Sequence, residues 1–516
     1  MKTQLAKSDA LLLRTLYKKN VAVTRNPLMS SSYSDIHAIL REKKTLSIPI
    51  IRWHSIRLDG QNRPLALVAA TDIHANHGEM SSMLYLRDHI QTARAYMELS
   101  FHSPHAYRIE KKVAKDLILS ALDLMSTPAQ LDRFRTVIKK GDSASQEDWP
   151  HISLWFNDLE GKKPNGWRNK QDSFQMLAHL ALDALDRGFL SAHELLPSHK
   201  TFLSLVAPLL KSVGFPRYES SGSWEENTAV RTSVMAVETA LLHKIKALRP
   251  YHPFLAQNTP AFERTITAML RDGLTELGKR LPGESPEYPK DSVKHRKADA
   301  ALAYVLLYGL PQLLADAQIP VAGAIRPTEA IEAMVLASLR TLDDPLTGGI
   351  LRYHDDSYQR VNFHTNAAQA TVRGIKSFVK NRAGDGLIDL DLKQSLRGQY
   401  MPAGREAAWT HPLGQIAAWA ARRSMERRGR NDAQRYQKIY DSYLRRMIGT
   451  VTLEGQWSAA LNADGEYEVR EVTAWKLPEC YITYQLDDKA PLLVPSPHTP
   501  LNWSSVSLKE AIGLLT

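Results

Sequence analysis

Cysteine is almost missing from this chain, since Cys480 is the only one among 516 residues. A disulfide within the chain is therefore impossible, and a cysteine-rich zinc module is excluded. Long apolar runs are missing too. No stretch approaches the roughly 20 residues of a membrane-spanning helix, and the apolar run at residues 10–13 is too short for the core of a secretion signal. We therefore expect no membrane partner and predict a cytoplasmic location.

Positively charged residues are in modest excess, with 66 Lys+Arg against 55 Asp+Glu and a net charge of +11. Such an excess raises the hypothesis of nucleic-acid binding. The densest basic stretch, residues 422–446, is interrupted by acidic residues and reads as two helices around Gly429. No nucleic-acid-binding motif accompanies it. We interpret it as a solvated helical face and expect no nucleic-acid partner.

The first 80 residues differ in pattern from the rest of the chain. Two short apolar runs, 46–53 and 64–70, flank Asp59-Gly60. Apolar runs separated by a turn signal are typical of two β-strands. We predict a small N-terminal segment, residues 1–80, that contains short strands.

Residues 81–516 show helical periodicity instead. One example is the stripe of Val113, Leu117, Ala121 and Leu124. About twelve helices are predicted, among them 83–101, 201–213, 229–247, 261–280, 298–316, 328–341, 366–379, 410–428, 432–449 and 504–515. Long loops rich in aromatic, glycine and acidic residues separate many of them, as functional loops do. This pattern predicts a mainly α protein, an (α/α)6 toroid of six helical hairpins with loops over one face.

Two adjacent carboxylates follow a tryptophan in Trp224-Glu225-Glu226, just before a predicted helix. A carboxyl packed against an apolar ring has a raised pKa, which a general acid requires. The alternative is that Glu225 and Glu226 stabilise the amino end of the helix through its dipole.

Two further segments carry polar groups suited to sugar chemistry. Glu479 lies in an aromatic loop before the last helix and is a candidate water-activating base, with a loop salt bridge as the alternative. Arg87 and Asp88 offer donors and acceptors to neighbouring sugar hydroxyls, unless they form an ordinary surface ion pair. Weaker candidates are a metal site within residues 72–79 and Cys480 as a nucleophile.

Together these segments resemble glycoside hydrolase family 15, the glucoamylases and their bacterial relatives, a superfamily that includes the phosphorylase kinase regulatory chains. The family motifs are matched, in order, by Tyr85-Leu-Arg87-Asp88, the Trp167–Asp172 loop, Trp224-Glu225-Glu226, the Arg296–Asp299 loop, the Gly348–Tyr358 loop, Pro478-Glu479 and Pro500-Leu501-Asn502-Trp503-Ser504.

The resemblance implies an (α/α)6 catalytic domain over residues 81–516. It also implies exo-acting, inverting hydrolysis that releases glucose from α-linked gluco-oligosaccharides, with no metal and no cofactor. Glu225 would be the general acid and Glu479 the general base. The substrate-binding residues implied are Arg87, Asp88, Trp167, Asp172, Trp224, Glu226, Arg296 and Trp503.

The sequence departs from the family pattern at Cys480, where the family usually has glutamine after the base. The large N-terminal β-sandwich of the bacterial enzymes has only the short predicted strands in its place. A second interpretation therefore remains open, a catalytically silent carbohydrate-sensing or regulatory protein that resembles the phosphorylase kinase regulatory chains.

Overall fold

The computed structural model describes residues 11, 14–20, 25–48, 83–155, 171–224, 228–255, 260–292, 294–354, 356, 406–461, 467–484, 489–496 and 498–514. Helices dominate this part of the chain. In chain order they are α1 (Tyr33–Glu42), α2 (Leu86–His102), α3 (Arg108–Met125), α4 (Pro128–Lys140), α5 (Gln171–Asp186), α6 (Pro197–Ser212), α7 (Thr232–Leu248), α8 (Pro260–Arg280), α9 (Ala303–Leu307), α10 (Leu310–Asp316), α11 (Thr328–Arg340), α12 (His411–Glu426), α13 (Ala433–Gly449) and α14 (Asn502–Gly513).

Six of these helices form a closed ring. Each of α2, α5, α7, α9, α12 and α14 contacts the next, and α14 returns to α2. A second layer packs outside them: α3 lies on α2, α6 on α5, α8 on α7, α11 on α9 and α13 on α12. The prediction of a mainly α (α/α)6 toroid is confirmed.

The inner helices are apolar around most of their circumference because they are covered on both sides. In α12 every residue from His411 to Ala421 is buried, and in α7 burial is unbroken from Thr232 to Leu242. Outer helices keep a polar face, as α13 does with Arg435 and Lys438. The inner helices are therefore apolar over a larger part of their circumference than the outer helices, and this difference distinguishes the two layers.

One predicted helix, 298–316, is wrong as a single element. The structure divides it into a 3₁₀ turn at Ala300–Leu302, then α9, then α10. Gly309 separates the two α-helices with a left-handed φ of 68°, which favours glycine and ends an α-helix. The predicted helix 366–379 lies outside the described residues.

Strands are short and lie between the helices. β1 (Met83–Tyr85) pairs antiparallel with β2 (Ser153–Trp155). β3 (Ile350–Leu351), β4 (Ala408–Trp409), β7 (Cys480–Tyr484) and β8 (Leu492–Pro495) form one antiparallel sheet, while β5 (Trp457–Leu461) pairs with β6 (Tyr467–Glu471). Most of the predicted N-terminal strands, 46–53 and 64–70, lies outside the described residues, and the described stretch 25–48 contains α1.

A buried carboxylate joins the last inner helix to its two neighbours. Glu510 of α14 is fully buried and lies 2.9 Å from the guanidinium of Arg94 on α2, and Arg422 of α12 donates to its other oxygen. Burial by itself would raise the pKa of Glu510, but the two cations outweigh it and lower the pKa below its usual value of 4.5. The carboxylate is therefore ionised, and its two ion pairs connect α14 to α2 and to α12, which closes the ring of inner helices.

We expect Glu510→Gln to lower the free energy of unfolding at pH 7 by about 3–5 kcal/mol, because two half-buried cations lose their shared partner. A carboxyl whose folded pKa lies below its unfolded value contributes stability above the unfolded pKa and loses it as pH falls through the folded pKa. The difference between variant and wild type should therefore shrink below about pH 4.5. Urea unfolding over a pH series measures both effects.

The matched control is Glu426→Gln on α12, because that side chain is 58% exposed and pairs with Arg423. Its effect should stay below about 1 kcal/mol. Equal losses in the two variants, or a Glu510 effect that does not begin to shrink as the pH falls below about 4.5, would contradict the role of Glu510 in ring closure.

Candidate functional site

The predicted site residues that the structure describes lie mostly at the amino ends of the inner helices or in the loops just before them. They are Arg87, Asp88, Asp172, Trp224, Arg296, Glu479 and Trp503, and all seven are buried. The amino ends of the inner helices therefore mark one face of the toroid, and these residues lie at that face.

Arg87 and Asp172 form a buried ion pair between the starts of α2 and α5. The Arg87 Nη2 atom lies 2.8 Å from Asp172 Oδ1, and the side chains are 7% and 0% exposed. Arg87 Nη1 also donates to the Ser223 carbonyl at 2.9 Å, and the Ser223 hydroxyl donates to Asp172 at 3.3 Å. The pair therefore fixes the loop segment that carries Ser223 and Trp224, and Asp88 is buried at the start of α2.

Asp299 connects two more of the predicted residues. Its Oδ1 accepts a hydrogen bond of 2.6 Å from the Trp224 indole N–H and another from the backbone N–H of Ala301. Its Oδ2 lies 2.9 Å from Arg296 Nη1. The Arg296 guanidinium stacks 3.5 Å from the centre of the Tyr353 ring. One carboxylate thus holds both an aromatic ring and a cation in place.

Four aromatic rings form a continuous cluster at this face. The Trp224 ring lies 5.2 Å from that of Trp409, and Trp409 lies 5.6 Å from His411. His411 stacks on Trp503 at 3.8 Å with an angle of 22° between the rings. Burial, together with the charge of Arg87, lowers the pKa of His411 well below 6.5, so the imidazole is neutral. The cluster spans the starts of α12 and α14 and the loop before α7.

Glu479, just before β7, is buried and 3% exposed. The Ser496 hydroxyl donates to its Oε2 at 3.2 Å, and its backbone accepts from Thr410 and donates to His498. In the sheet, Trp409 of β4 is directly opposite Cys480 of β7, so Glu479 is beside Thr410. The sheet therefore fixes the backbone of Glu479 beside Thr410, one residue from Trp409.

Arg352 brings a cation to the same cluster. Its guanidinium lies 5.3 Å from the ring centres of both Trp224 and Trp409, and it pairs with the buried carboxylate of Asp356 at 2.6 Å. Burial raises the pKa of the nearby Cys480 thiol well above 9, and the charge of Glu479 raises it further. Cys480 is therefore a neutral thiol, which does not support its candidacy as a nucleophile.

A second carboxyl lies behind Asp299. Glu284 is buried, accepts hydrogen bonds from the backbone and hydroxyl of Ser233, and lies close enough to Asp299 to feel its charge. Burial raises the pKa of Glu284 to about 7, and Asp299 adds to the shift, while Arg231 and Ser233 oppose it. This site therefore holds one acid that changes its charge near neutral pH.

Three of the predicted site residues, Trp167, Glu225 and Glu226, lie outside the described residues, as does the metal candidate at residues 72–79. The sequence neighbours of Glu225 and Glu479 are described: Trp224 contacts Trp409, which is opposite Cys480.

Sequence reasoning assigned no role to several residues that the structure brings into this site. Asp299, Arg352 and Asp356 stood within quoted motifs, where each acid follows an arginine by three or four residues. Trp409 and His411 were not singled out. A sequence feature that could have pointed to them is their position at the start of a predicted helix, directly before Pro412.

Within the described residues, no cluster of three or more histidine, cysteine or acidic side chains is arranged to hold a metal ion. Among the helices of that same part, none is long and apolar enough to span a membrane.

The sequence matches no protein-family model, and no curated protein matches it significantly. Solved structures do resemble it. A glycosidase solved in complex with glucose is 14% identical over 94% of this chain and 98% of its own, with a TM-score of 0.50. The glucoamylase of Saccharomycopsis fibuligera is 12% identical over 94% and 96%, also with a TM-score of 0.50. At these identities the likeness is one of fold: the chain has the helical toroid that these glycosidases have.

Proposed function

We propose that this protein is an inverting, exo-acting glycoside hydrolase that releases glucose from α-linked gluco-oligosaccharides, with Glu225 as general acid and Glu479 as general base. The observation that carries the proposal is the meeting of two distant segments. Trp224, which directly precedes Glu225, lies 5.2 Å from Trp409, and Trp409 is opposite the residue that follows Glu479. Inverting hydrolysis requires two carboxyl groups on opposite sides of one sugar.

The surroundings of Glu479 suit a general base. Glu479 is 3% exposed, and the Ser496 hydroxyl donates a hydrogen bond that orients its carboxylate. A general base must be held within hydrogen-bond reach of the water that it activates.

In the proposed reaction Glu225 donates its proton to the glycosidic oxygen as the bond from that oxygen to the anomeric carbon breaks. Glu479 takes a proton from a water molecule, and the water oxygen bonds to the anomeric carbon from the opposite face. A carboxyl separation of about 6.5–9.5 Å leaves room for this water. The product is therefore the β-anomer of glucose.

The remaining polar and aromatic groups suit recognition of one sugar unit. The Trp224, Trp409 and Trp503 rings offer apolar surfaces to the C–H faces of a sugar. In the proposal Arg87, Asp88, Asp172 and Arg296, together with Trp167 and Glu226, bind or orient its hydroxyls. Among the structures of similar fold, one glycosidase has glucose bound.

The first test is the configuration of the product. Maltose, isomaltose, nigerose and longer maltodextrins are incubated with the protein, and proton NMR follows the anomeric signals before mutarotation. We expect β-glucose to appear first. Early α-glucose would overturn inversion, and no glucose from any substrate, alongside saturable binding of an oligosaccharide, would favour the regulatory interpretation.

The second test separates the two carboxyls. We expect Glu225→Gln to lower kcat on oligosaccharides by about 10²–10⁴-fold, while α-glucosyl fluoride, which needs little protonation, loses less than about tenfold. Glu479→Gln should impair both substrates, because no base activates the water. The pH profile of wild type should be bell-shaped, and Glu225→Gln should lose the alkaline limb on the fluoride.

The matched control is Glu426→Gln, which replaces the exposed last residue of α12. This substitution should leave both activities unchanged. Equal loss on both substrates in both variants would contradict the division of roles. Full activity in either variant would mean that the replaced residue is a helix cap or a loop ion-pair partner.

A further inference from the structure

A groove on the outer layer of the toroid lies between α11 and α13 and encloses about 540 Å³. None of the residues of the candidate site lines it. Its lining includes Arg340, Asp343, Arg435, Lys438, Tyr443 and Arg446. Its size is within the range of small-molecule sites.

The lining of the groove carries an excess of positive charge: it has four cationic side chains and one carboxylate. Of these cations, Arg446 already has hydrogen-bond and ion-pair partners within the protein. It pairs with Asp343 at 2.8 Å and donates to the carbonyls of Gly348 and Gly349 at 3.0 Å. Arg340, Arg435 and Lys438 are exposed and remain without a counter-charge in the lining.

The placement of Arg435 and Lys438 does not stabilise their own helix. Arg435 lies in the first turn of α13, where the helix dipole is positive and disfavours a cation, and Lys438 lies in the second turn. Neither makes an ion pair with any residue that the structure describes. The same dipole that disfavours these cations would attract an anion placed beside them.

Other arginines of the basic stretch 422–446 are used inside the fold. Arg422 pairs with Glu510, Arg423 with Glu332 at 2.8 Å, and Arg427 with Asp432 at 3.0 Å. The interpretation of the stretch as a solvated face is therefore wrong for these three side chains, which are 14–21% exposed. The unpaired cations of the stretch include the two that line the groove.

The groove also offers neutral polar groups. Tyr443 is 2% exposed, and its hydroxyl makes no well-formed hydrogen bond within the described part of the chain, although Arg340 lies close to it. Burial raises the pKa of this hydroxyl, so it stays protonated and can donate. Ser442, Asn431 and Gln434 add a hydroxyl and two amides, while Leu336 and Ile439 supply apolar surface.

We propose that this groove binds a small phosphomonoester, such as a sugar phosphate. Arg340, Arg435 and Lys438 would hold the phosphate through charge-assisted hydrogen bonds. The hydroxyl and amide groups would bind the polar remainder of the ligand. A duplex nucleic acid fits the groove less well, because it needs a row of free cations along its backbone. In the basic stretch 422–446, Arg422, Arg423 and Arg427 already form ion pairs within the protein. The site is separate from the proposed hydrolase site and does not depend on it.

The test is calorimetric titration of the full-length protein at low salt with three probes: inorganic phosphate, glucose 6-phosphate and glucose. We expect both phosphates to bind and glucose not to bind at this site. The double variant Arg435→Gln/Lys438→Gln should raise the Kd of both phosphates by at least about tenfold, because each charged hydrogen bond contributes on that scale. A tighter Kd for glucose 6-phosphate than for phosphate would indicate that the sugar is also bound.

The matched control is Arg428→Gln/Arg430→Gln, which removes the same charge from exposed residues of the same stretch outside the groove. Its Kd should stay within about twofold of wild type. The single variant Lys438→Gln gives an independent reading if the double variant fails to fold. Absence of phosphate binding to wild type, or equal weakening in both double variants, would overturn the proposal. So would a duplex DNA that binds through the groove residues while neither phosphate does.

Discussion

The ion triad of Glu510 with Arg94 and Arg422 connects three inner helices, α2, α12 and α14, that are brought together only when the chain ends meet. A fully buried carboxylate is costly unless its charge is matched. Two guanidinium groups match it, and each comes from a different helix, so the charge is satisfied only when the ring is closed. Closure in turn brings the amino ends of the inner helices to the same face.

At that face the same principle is repeated on a smaller scale. Asp172 pairs with Arg87, Asp299 with Arg296, and Asp356 with Arg352, and each acid is fully buried. These pairs fix the orientation of the aromatic rings between them before any ligand arrives. A site whose charges are already arranged needs little reorganisation during a reaction, which is how electrostatic catalysis is effective.

Inner and outer layers use charge differently. At the candidate site of the inner layer, arginines and acids are paired within the protein, as Arg87 is with Asp172 and Arg296 with Asp299. On the outer layer Arg435 and Lys438 are exposed near the amino end of α13 and make no ion pair with the residues that the structure describes. The first arrangement stabilises a fixed site, while the second leaves charge available for a ligand from solution.

The residues of the chain by themselves determined most of the helices, because apolar periodicity is a local property that a buried helix face requires. The predicted ends of α7, α8, α11, α12 and α13 lie within three residues of the observed ones. The prediction failed within 298–316, where Gly309 adopts a left-handed φ inside an apolar run, and at α1, whose packing depends on distant residues such as Asp441. Local pattern does not encode either feature.

The motifs likewise predicted site roles for Arg87, Asp172, Trp224, Arg296, Glu479 and Trp503, and those roles stay predictions. The structure shows that all six are buried, that Arg87 pairs with Asp172, that Asp299 joins Trp224 to Arg296, and that Trp503 stacks in the aromatic cluster. Only the tertiary structure decided that Asp299 holds Trp224, that Arg352 lies over two indole rings, and that Trp409 and His411 complete the aromatic cluster. These contacts join residues that are far apart in sequence. Their energy exists only after the ring has closed, so no short stretch of sequence records it.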